Sequence, residues 1–467
     1  MKFFTMFQHT VQALFMPIKF KHTILGLCLV GLMGVLQATE SISSTYEYQL
    51  DNGLKLIVRE DHRAPTVVTQ VWYKVGGSYE SNGLTGISHA LEHMMFRGTP
   101  RYPKDEFSRL IAINGGDQNA FTAGDFTAYY QELEAYRLKL CFELEADRMQ
   151  NLSLNEEDFL QEIKVVMEER RLRVEDNPEA LARERLLAAA HISNPYHHPT
   201  IGWMDDIQNL KIEDLRRWYK TWYAPNNAIV VVVGDVKAEE VLKYAKTYFG
   251  PLSSIVIPKL KPRIESRPLG KKRVQLTLNA TVPRLFMSYN VPSIKTASDP
   301  KEPYALLVLM LALDGGNSSR FSKELVRRQA IVAGVSTNYN PFSLHETLMT
   351  FSGMPTEKHT LQELEEAFLN QIARLQAEPL SPEELRRIKT NAIAEHVYSC
   401  DSMSDQALEI GMLEAVGLSW QVADNYPAQI QAVTANDVQK VAQKYLLPER
   451  QTVVELTPLK TGTKSHE

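Results

Sequence analysis

Along this 467-residue chain the spacing of apolar positions changes several times, and each change marks an element. From Tyr46 the alternation is that of strands: Tyr46 to Leu50, the turn Asp51-Asn52-Gly53, Leu54 to Val58 and, after a break, Thr66 to Val75. The Asn-Gly pair predicts a hairpin. Gly83 to Gly86 reads as a turn, after which Ile87 to Met95 takes the helical period and stops before Gly98-Thr99-Pro100. A second helical stretch runs from Pro103 to Asn114, and Gly115-Gly116 opens a strand expected over Asn119 to Tyr130. Leu133 to Met149 and Glu156 to Val174 are long amphipathic helical patterns, the latter closed by Asp176-Asn177-Pro178.

The pattern also repeats. Asp214-Leu215 is followed by a helical stretch, Trp222-Tyr223, Pro225 and the apolar run Ile229 to Val233. Asp437-Val438 is followed by a helical stretch, Tyr445, Pro448 and Thr452 to Val454, and in both copies the proline stands eleven positions after the aspartate. A weaker echo pairs Glu157-Asp158-Phe159 and Ile163-Lys164 with Glu383-Glu384-Leu385 and Ile388-Lys389, at a similar offset of about 225. Two echoes at nearly one offset imply duplication. The chain is therefore expected to be α+β, with two related halves joined by the Pro-rich, basic segment from Pro251 to Pro268.

Length agrees, since one hydrophobic core does not grow to this size. Composition narrows the function classes: the formal net charge is -5, with no long block of one sign, so no nucleic-acid partner is expected. The N-terminus differs from the rest. Lys19, Lys21 and His22 precede an apolar run from Ile24 to Leu36 that ends near Gln37-Ala38-Thr39, the layout of a secretory signal peptide. That run is shorter than the roughly 20 residues of a membrane span, so no stable span is expected after cleavage. The domains are thus read as a signal peptide over 1–38, a first domain over 39–255 and a second over 269–460. Export, most simply to the periplasm of a Gram-negative bacterium, is the expected location. After cleavage only Cys141 and Cys400 remain, which excludes a disulfide framework and leaves open whether the two pair.

Candidate chemistry lies in His89-Ala90-Leu91-Glu92-His93. On a helix these three polar side chains share a face, because residues three and four apart are neighbours. Two neutral imidazoles on successive turns take two corners of a tetrahedral zinc site, while a carboxylate between them reaches a water without ligating. That is the chemistry of metal-assisted peptide hydrolysis, with Glu92 as the general base. A catalytic zinc needs a third protein ligand. The helix after Asn155 offers Glu162, Glu168 and Glu169; Glu162 and Glu169 share a face, and Glu168 points about 100 degrees away. Glu169 is the first expectation and Glu162 the alternative. His197-His198, in a Pro-bounded loop, reads as a packed or surface pair rather than a second metal site.

These residues resemble the pitrilysin and insulinase group of inverted zinc peptidases, in particular bacterial members similar to mitochondrial processing peptidase; the order H-x-x-E-H is the group's mark. The resemblance spans nearly the whole chain: Asp51 to Leu54, Gly86 to His93, Met95 to Thr99, Asn114-Gly115-Gly116, Asn119-Ala120, Val165 to Glu169, Gly202-Trp203, Val232 to Asp235 and, in the second half, Gly315 to Phe321. It implies that His89, His93 and Glu169 hold one zinc ion per chain, that Glu92 is the base, and that Glu162 is a carboxylate orienting the site. It further implies that Asn119 lies on an edge strand pairing with substrate backbone, and that two homologous halves, each a mainly antiparallel sheet packed by helices, form a clamshell. In the group's second half an Arg and, seven residues on, a Tyr assist at the substrate carbonyl. Arg327 fits the first, but Gly334 stands at the second. Either Tyr339 substitutes or a homologous partner chain supplies the group, in a heterodimer or a homodimer.

Three functions compete on this reading. The first is a zinc endopeptidase acting on peptides or unfolded segments. A non-catalytic or partner-dependent processing or scaffold subunit is the alternative, and a metal-dependent binding module the third, which gives Glu92 no task. The intact set His89, Glu92, His93 and Glu169 favours the first.

Overall fold

The computed structural model describes residues 44–459. The leader expected over 1–38, the beginning of the first domain and residue 460 of the second lie outside the described residues. The first half contributes six strands: β1 (Thr45–Gln49), β2 (Lys55–Glu60), β3 (Thr66–Tyr73), β4 (Asp117–Thr122), β5 (Thr127–Glu134) and β6 (Ala228–Gly234). They form one sheet in the order β1-β2-β6-β3-β5-β4. Its helices are α1 (Ile87–Met94), α2 (Glu106–Ile113), α3 (Leu138–Asn151), α4 (Glu156–Arg170), α5 (Pro178–Ala190), α6 (Met204–Asn209), α7 (Ile212–Trp222) and α8 (Ala238–Tyr248). After residues 251–270, which carry neither helix nor strand, come β7 (Lys272–Leu278), β8 (Arg284–Val291), α9 (Glu302–Asp314), β9 (Val332–Asn338) and β10 (Thr347–Pro355). The helices α10 (Leu361–Ala377), α11 (Pro382–Ser399), α12 (Met403–Ala415), α13 (Gln421–Ala432) and α14 (Ala435–Tyr445) lead into β11 (Gln451–Pro458).

The second sheet has the order β7-β11-β8-β10-β9, with β7 and β11 parallel and the other pairs antiparallel. Without β1 the first sheet reads β2-β6-β3-β5-β4, with β2 and β6 as its parallel pair. The halves therefore share one topology, as the internal repeat implied. The repeated motif has a physical basis in both copies. Asp214 and Asp437 accept from the backbone N–H three residues earlier, Lys211 at 3.0 Å and Thr434 at 2.9 Å, which satisfies a free donor at the helix start. Pro225 and Pro448 each begin a 3-10 turn that ends the helix and leads into the parallel strand.

Each half has its own core on one face of its sheet. Leu56, Val58, Val71 and Tyr73 meet helical residues such as Leu91, Phe142, Leu215 and Val241, and Leu285, Met287 and Tyr289 meet Leu309, Phe368 and Val438. The opposite faces are covered by exchange. Ala407 and Ile410 of α12 pack on Ile57, Val68, Trp72, Ile229, Val231 and Val233 of the first sheet, while Ala182 and Leu186 of α5 pack on Phe286, Val454 and Leu456 of the second. This exchange explains the unbroken apolar run of β6, which is buried on both faces. The contacts join the halves into one compact unit.

Some elements differ from the sequence reading. Asn119 to Tyr130 is not one strand but the hairpin β4 and β5, reversed over 123–126. Leu133 belongs to β5, so the following helix starts at Leu138. The pattern from Glu156 is α-helical only to Arg170 and widens into a π turn over Arg171–Glu175. Cys141 and Cys400 are free thiols. Among the described residues no helix is long and apolar enough to cross a membrane.

Candidate metal centre

The helix α1 buries Ile87, Ala90, Leu91 and Met94 in the first core, which turns His89, Glu92 and His93 toward α4 and β4. Its N-terminus is held by carboxylates rather than by an adjacent cap. Gly86 and Ser88 donate their N–H groups to Glu80 at 2.7 and 2.9 Å, and Asp206 accepts from the N–H and hydroxyl of Thr85. Burial pushes the Glu80 carboxyl up to about 7, against the pull of those N–H donors. Gly86 and Gly202 cross here at φ +86 and +89; a Cβ on either would meet the carbonyl oxygen of Ile201 or Thr85 within 2.5 Å. Glu80 and Asp206 were not singled out from the sequence, because no local period links them to the helix they hold.

Across from α1, Glu169 places Oε2 3.2 Å from His93 Nε2 and 3.6 Å from His89 Nε2. All three potential ligand atoms lie within 4.8 Å of one another, and no second cluster of three such residues occurs among the described residues. The separations match a tetrahedral edge of about 3.3 Å, expected for zinc bonds of about 2.0 to 2.1 Å. Burial, with His93 beside it, lowers His89 to about 3, so its imidazole stays neutral and its lone pair is available. Burial would raise Glu169, but its closeness to the two histidines and to Arg173 outweighs burial and holds the carboxyl at about 2. Two imidazoles and a carboxylate are a donor set of the N,N,O kind that would suit a catalytic zinc ion.

The surrounding groups fix this set. Glu162 Oε2 lies 3.1 Å from His93 Nδ1, so that nitrogen carries the proton and Nε2 keeps its lone pair. Arg97 pairs with the other oxygen of Glu162, and Arg173 with the other oxygen of Glu169. Glu168 turns to solvent and pairs with Arg171 at 3.1 Å, as the helical register requires. Glu92 stands outside the cluster: its Oε2 accepts the Thr122 hydroxyl at 2.5 Å, and burial raises its carboxyl despite that bond.

The other candidates fall elsewhere. Asn119 is exposed on β4, the free edge of the first sheet, and its Oδ1 accepts from the Ala120 N–H at 2.9 Å. Arg327 is exposed on the π-helical segment Phe321–Arg328 of the second half. Tyr339 does not substitute for a tyrosine at 334: it is buried in the second core, and its hydroxyl donates to the carbonyl of Pro292 at 2.6 Å. Gly334 lies on β9, where an added Cβ would meet nothing within 4 Å. His198 is buried as a packed residue, and burial with His197 alongside lowers it to about 4. In the second half the cleft between α9 and α11, the counterparts of α1 and α4, is lined by Leu311, Gly315, Ile388, Asn391, Ala392 and Glu395, with no histidine.

Residues 55–202 match the family model described as insulinase (peptidase family M16), and residues 209–392 the one described as the peptidase M16 inactive domain. The chain is 30% identical over 443 residues to the zinc protease PqqE of Helicobacter pylori, covering 92% of this chain and 96% of that protein. The chain belongs to the insulinase family of peptidases, M16. Within this family it is also 26% identical over 439 residues to a probable mitochondrial-processing peptidase subunit beta of Arabidopsis thaliana, covering 88% of this chain and 77% of the relative. A protease crystal structure from Helicobacter pylori superimposes with a TM-score of 0.84 at 29% identity, over 89% of this chain and all of that one. A putative M16-like peptidase from Alicyclobacillus acidocaldarius shares the fold, with a TM-score of 0.79 at 22% identity over 90% of this chain and 99% of that one. These two-domain M16 relatives bear out the α+β class and the clamshell of two homologous halves. The relatives' names support a metallopeptidase role.

Proposed function

We propose that the chain is a zinc-dependent endopeptidase that hydrolyses peptides or unfolded protein segments, with one zinc ion held by His89, His93 and Glu169. The observation that carries this reading is the convergence of two Nε2 atoms and one carboxylate oxygen, with Glu92 beside the cluster but not in it. A zinc ion there would polarise the scissile carbonyl and acidify a water molecule. Glu92, in a buried site that raises its basicity, takes the proton from the attacking water and passes it to the leaving amine. Glu162 keeps His93 in the ligating tautomer. An extended substrate adds to the free edge of β4 beside Asn119, where main-chain hydrogen bonds supply affinity independent of side-chain sequence. The metal-bearing domain is then 39–255 and the domain without ligands 269–460, both exported to the periplasm after loss of residues 1–38.

A second reading, a subunit whose activity depends on a homologous partner, is favoured by Gly334 and by the engagement of Tyr339 in the core. Arg327 then acts with a tyrosine of the partner in a heterodimer or homodimer. Zinc content and peptide hydrolysis, measured on the purified chain alone and during titration with a homologous chain, test both readings. Glu92→Gln should keep one zinc per chain and lose hydrolysis; turnover near that of the wild type would remove Glu92 from its role. Activity that rises to a plateau at one partner per chain supports the heterodimer, and full activity alone excludes it.

A further inference from the structure

We propose that Thr122 is a positioning residue that holds the base Glu92 by one carboxylate oxygen, keeps it off the metal, and ties its placement to the strand on which substrate lies. This rests on the peptidase reading above. The Thr122 hydroxyl is 2.5 Å from Glu92 Oε2 and is the only hydrogen-bond partner of that side chain among the described residues. Its proton has one direction to go. Thr127, its cross-strand neighbour, lies 3.5 Å away and spends its own proton on the Val75 carbonyl at 2.9 Å, while an ionised carboxylate is the stronger acceptor. Glu92 is thus anchored through Oε2, and Oε1 is left to accept the proton in the reaction.

The consequence follows from flexibility. Glu92 is adjacent to His93 in sequence, and a carboxylate is itself a zinc ligand, so an unanchored Glu92 would compete for the fourth position were it to swing there. The bond to Thr122 opposes that swing. Thr122 ends β4, three residues after the exposed Asn119, so the strand that would receive a peptide backbone also places the base. Proton transfer needs the base within hydrogen-bond reach, and a displacement of about 1 Å is enough to cost about 100-fold in rate.

The test uses the full zinc-loaded chain. Thr122→Val keeps the side-chain shape and removes the donor, and Thr122→Ser keeps the donor and removes a methyl group. Thr122→Val should retain one zinc per chain, leave KM near the wild-type value and lower kcat by about ten- to a hundred-fold, while Thr122→Ser recovers most of kcat. Crystal structures of both zinc-loaded variants give a readout independent of turnover: the Glu92 carboxylate is displaced in Thr122→Val and in place in Thr122→Ser. A Thr122→Val enzyme within about twofold of wild-type kcat overturns the proposal, as does a loss shared equally by Thr122→Ser. Should Thr122→Val not fold, Thr122→Ala replaces it, and failure of both to fold assigns Thr122 a structural role and also overturns the proposal. If the wild-type chain binds zinc but hydrolyses no peptide, the peptidase reading fails by itself, and the position of Glu92 in the crystals still decides the role of Thr122.

Discussion

Substituting Gly411 by alanine sets two physical effects against each other at the seam between the halves. Alanine in the interior of a helix is favoured over glycine by about 1 kcal/mol, so propensity alone makes Gly411→Ala stabilising. Packing argues the reverse. A Cβ at 411 would lie 2.1 Å from Cε2 and Nε1 of Trp72 and 2.6 Å from Cζ2, where ordinary contact is 3.4–4 Å. The indole has little room to retreat: it is fully buried, Nε1 donates to Gln70 Oε1 at 2.9 Å, and the rings of Phe126 and Phe121 meet it edge-on at 4.9 and 5.5 Å. Forcing a methyl into such a core costs about 1–3 kcal/mol. Breaking the Trp72 hydrogen bond adds about 1 kcal/mol, and disturbing the aromatic pairs about 0.5–1.5 kcal/mol. Set against the propensity gain, the expected net loss is about 1.5–4.5 kcal/mol. Urea unfolding followed by tryptophan fluorescence and circular dichroism measures it, and Trp72→Phe combined with Gly411→Ala should recover part. The sign decides: an alanine variant as stable as the wild type, or more so, refutes the packing of α12 on the first sheet.

Glu169→Gln should lower zinc affinity by more than about 100-fold, since removing even an outer partner of a ligand commonly costs about 10- to 100-fold, whereas exposed Glu168→Gln should leave it within about twofold; equal losses by competition with a chelator would move the third ligand. Glu265, in the joining segment, is buried, which raises its carboxyl, but His191 and the N–H groups of Ile192 and Asn194 hold it down at about 2. A depressed carboxylate contributes stability that is fully present above its ordinary value of 4.5 and is lost as pH falls through the folded value. The gap in urea midpoint between wild type and Glu265→Gln should therefore be constant above pH 4.5 and close toward about 2; a gap that widens on acidification contradicts the assignment. Gly334→Tyr should be accepted within about 0.5 kcal/mol, because a side chain there enters open space. If the missing donor limits the isolated chain, its turnover should rise by about tenfold or more. Unchanged turnover with one zinc bound would mean that this group does not limit the chain alone.

Features that depend on neighbours within a turn or two were legible in the sequence. His89, Glu92 and His93 share a face because helical spacing puts them there, and the same register separates Glu169 from Glu168. The duplication was legible because Asp214 and Asp437 cap equivalent helices and Pro225 and Pro448 lead into equivalent strands, tasks fixed by local backbone chemistry. Tertiary structure decided the rest. The apolar run Ile229 to Val233 implies a strand buried on both faces, but not that its outer cover is α12, far along the chain. The reversal within Asn119 to Tyr130 leaves the alternation intact, so only strand pairing reveals β4 as the edge carrying Thr122. Glu80 reaches the start of α1 from a loop and Asp206 from the short helix α6, neither linked to α1 by any period, and Tyr339 alternates like any strand residue until its hydroxyl is found on Pro292 in the second core. Periodicity states which face of an element is buried; which group meets that face is set by the packing of segments distant in sequence, and the environment of the proposed base Glu92 depends on such packing.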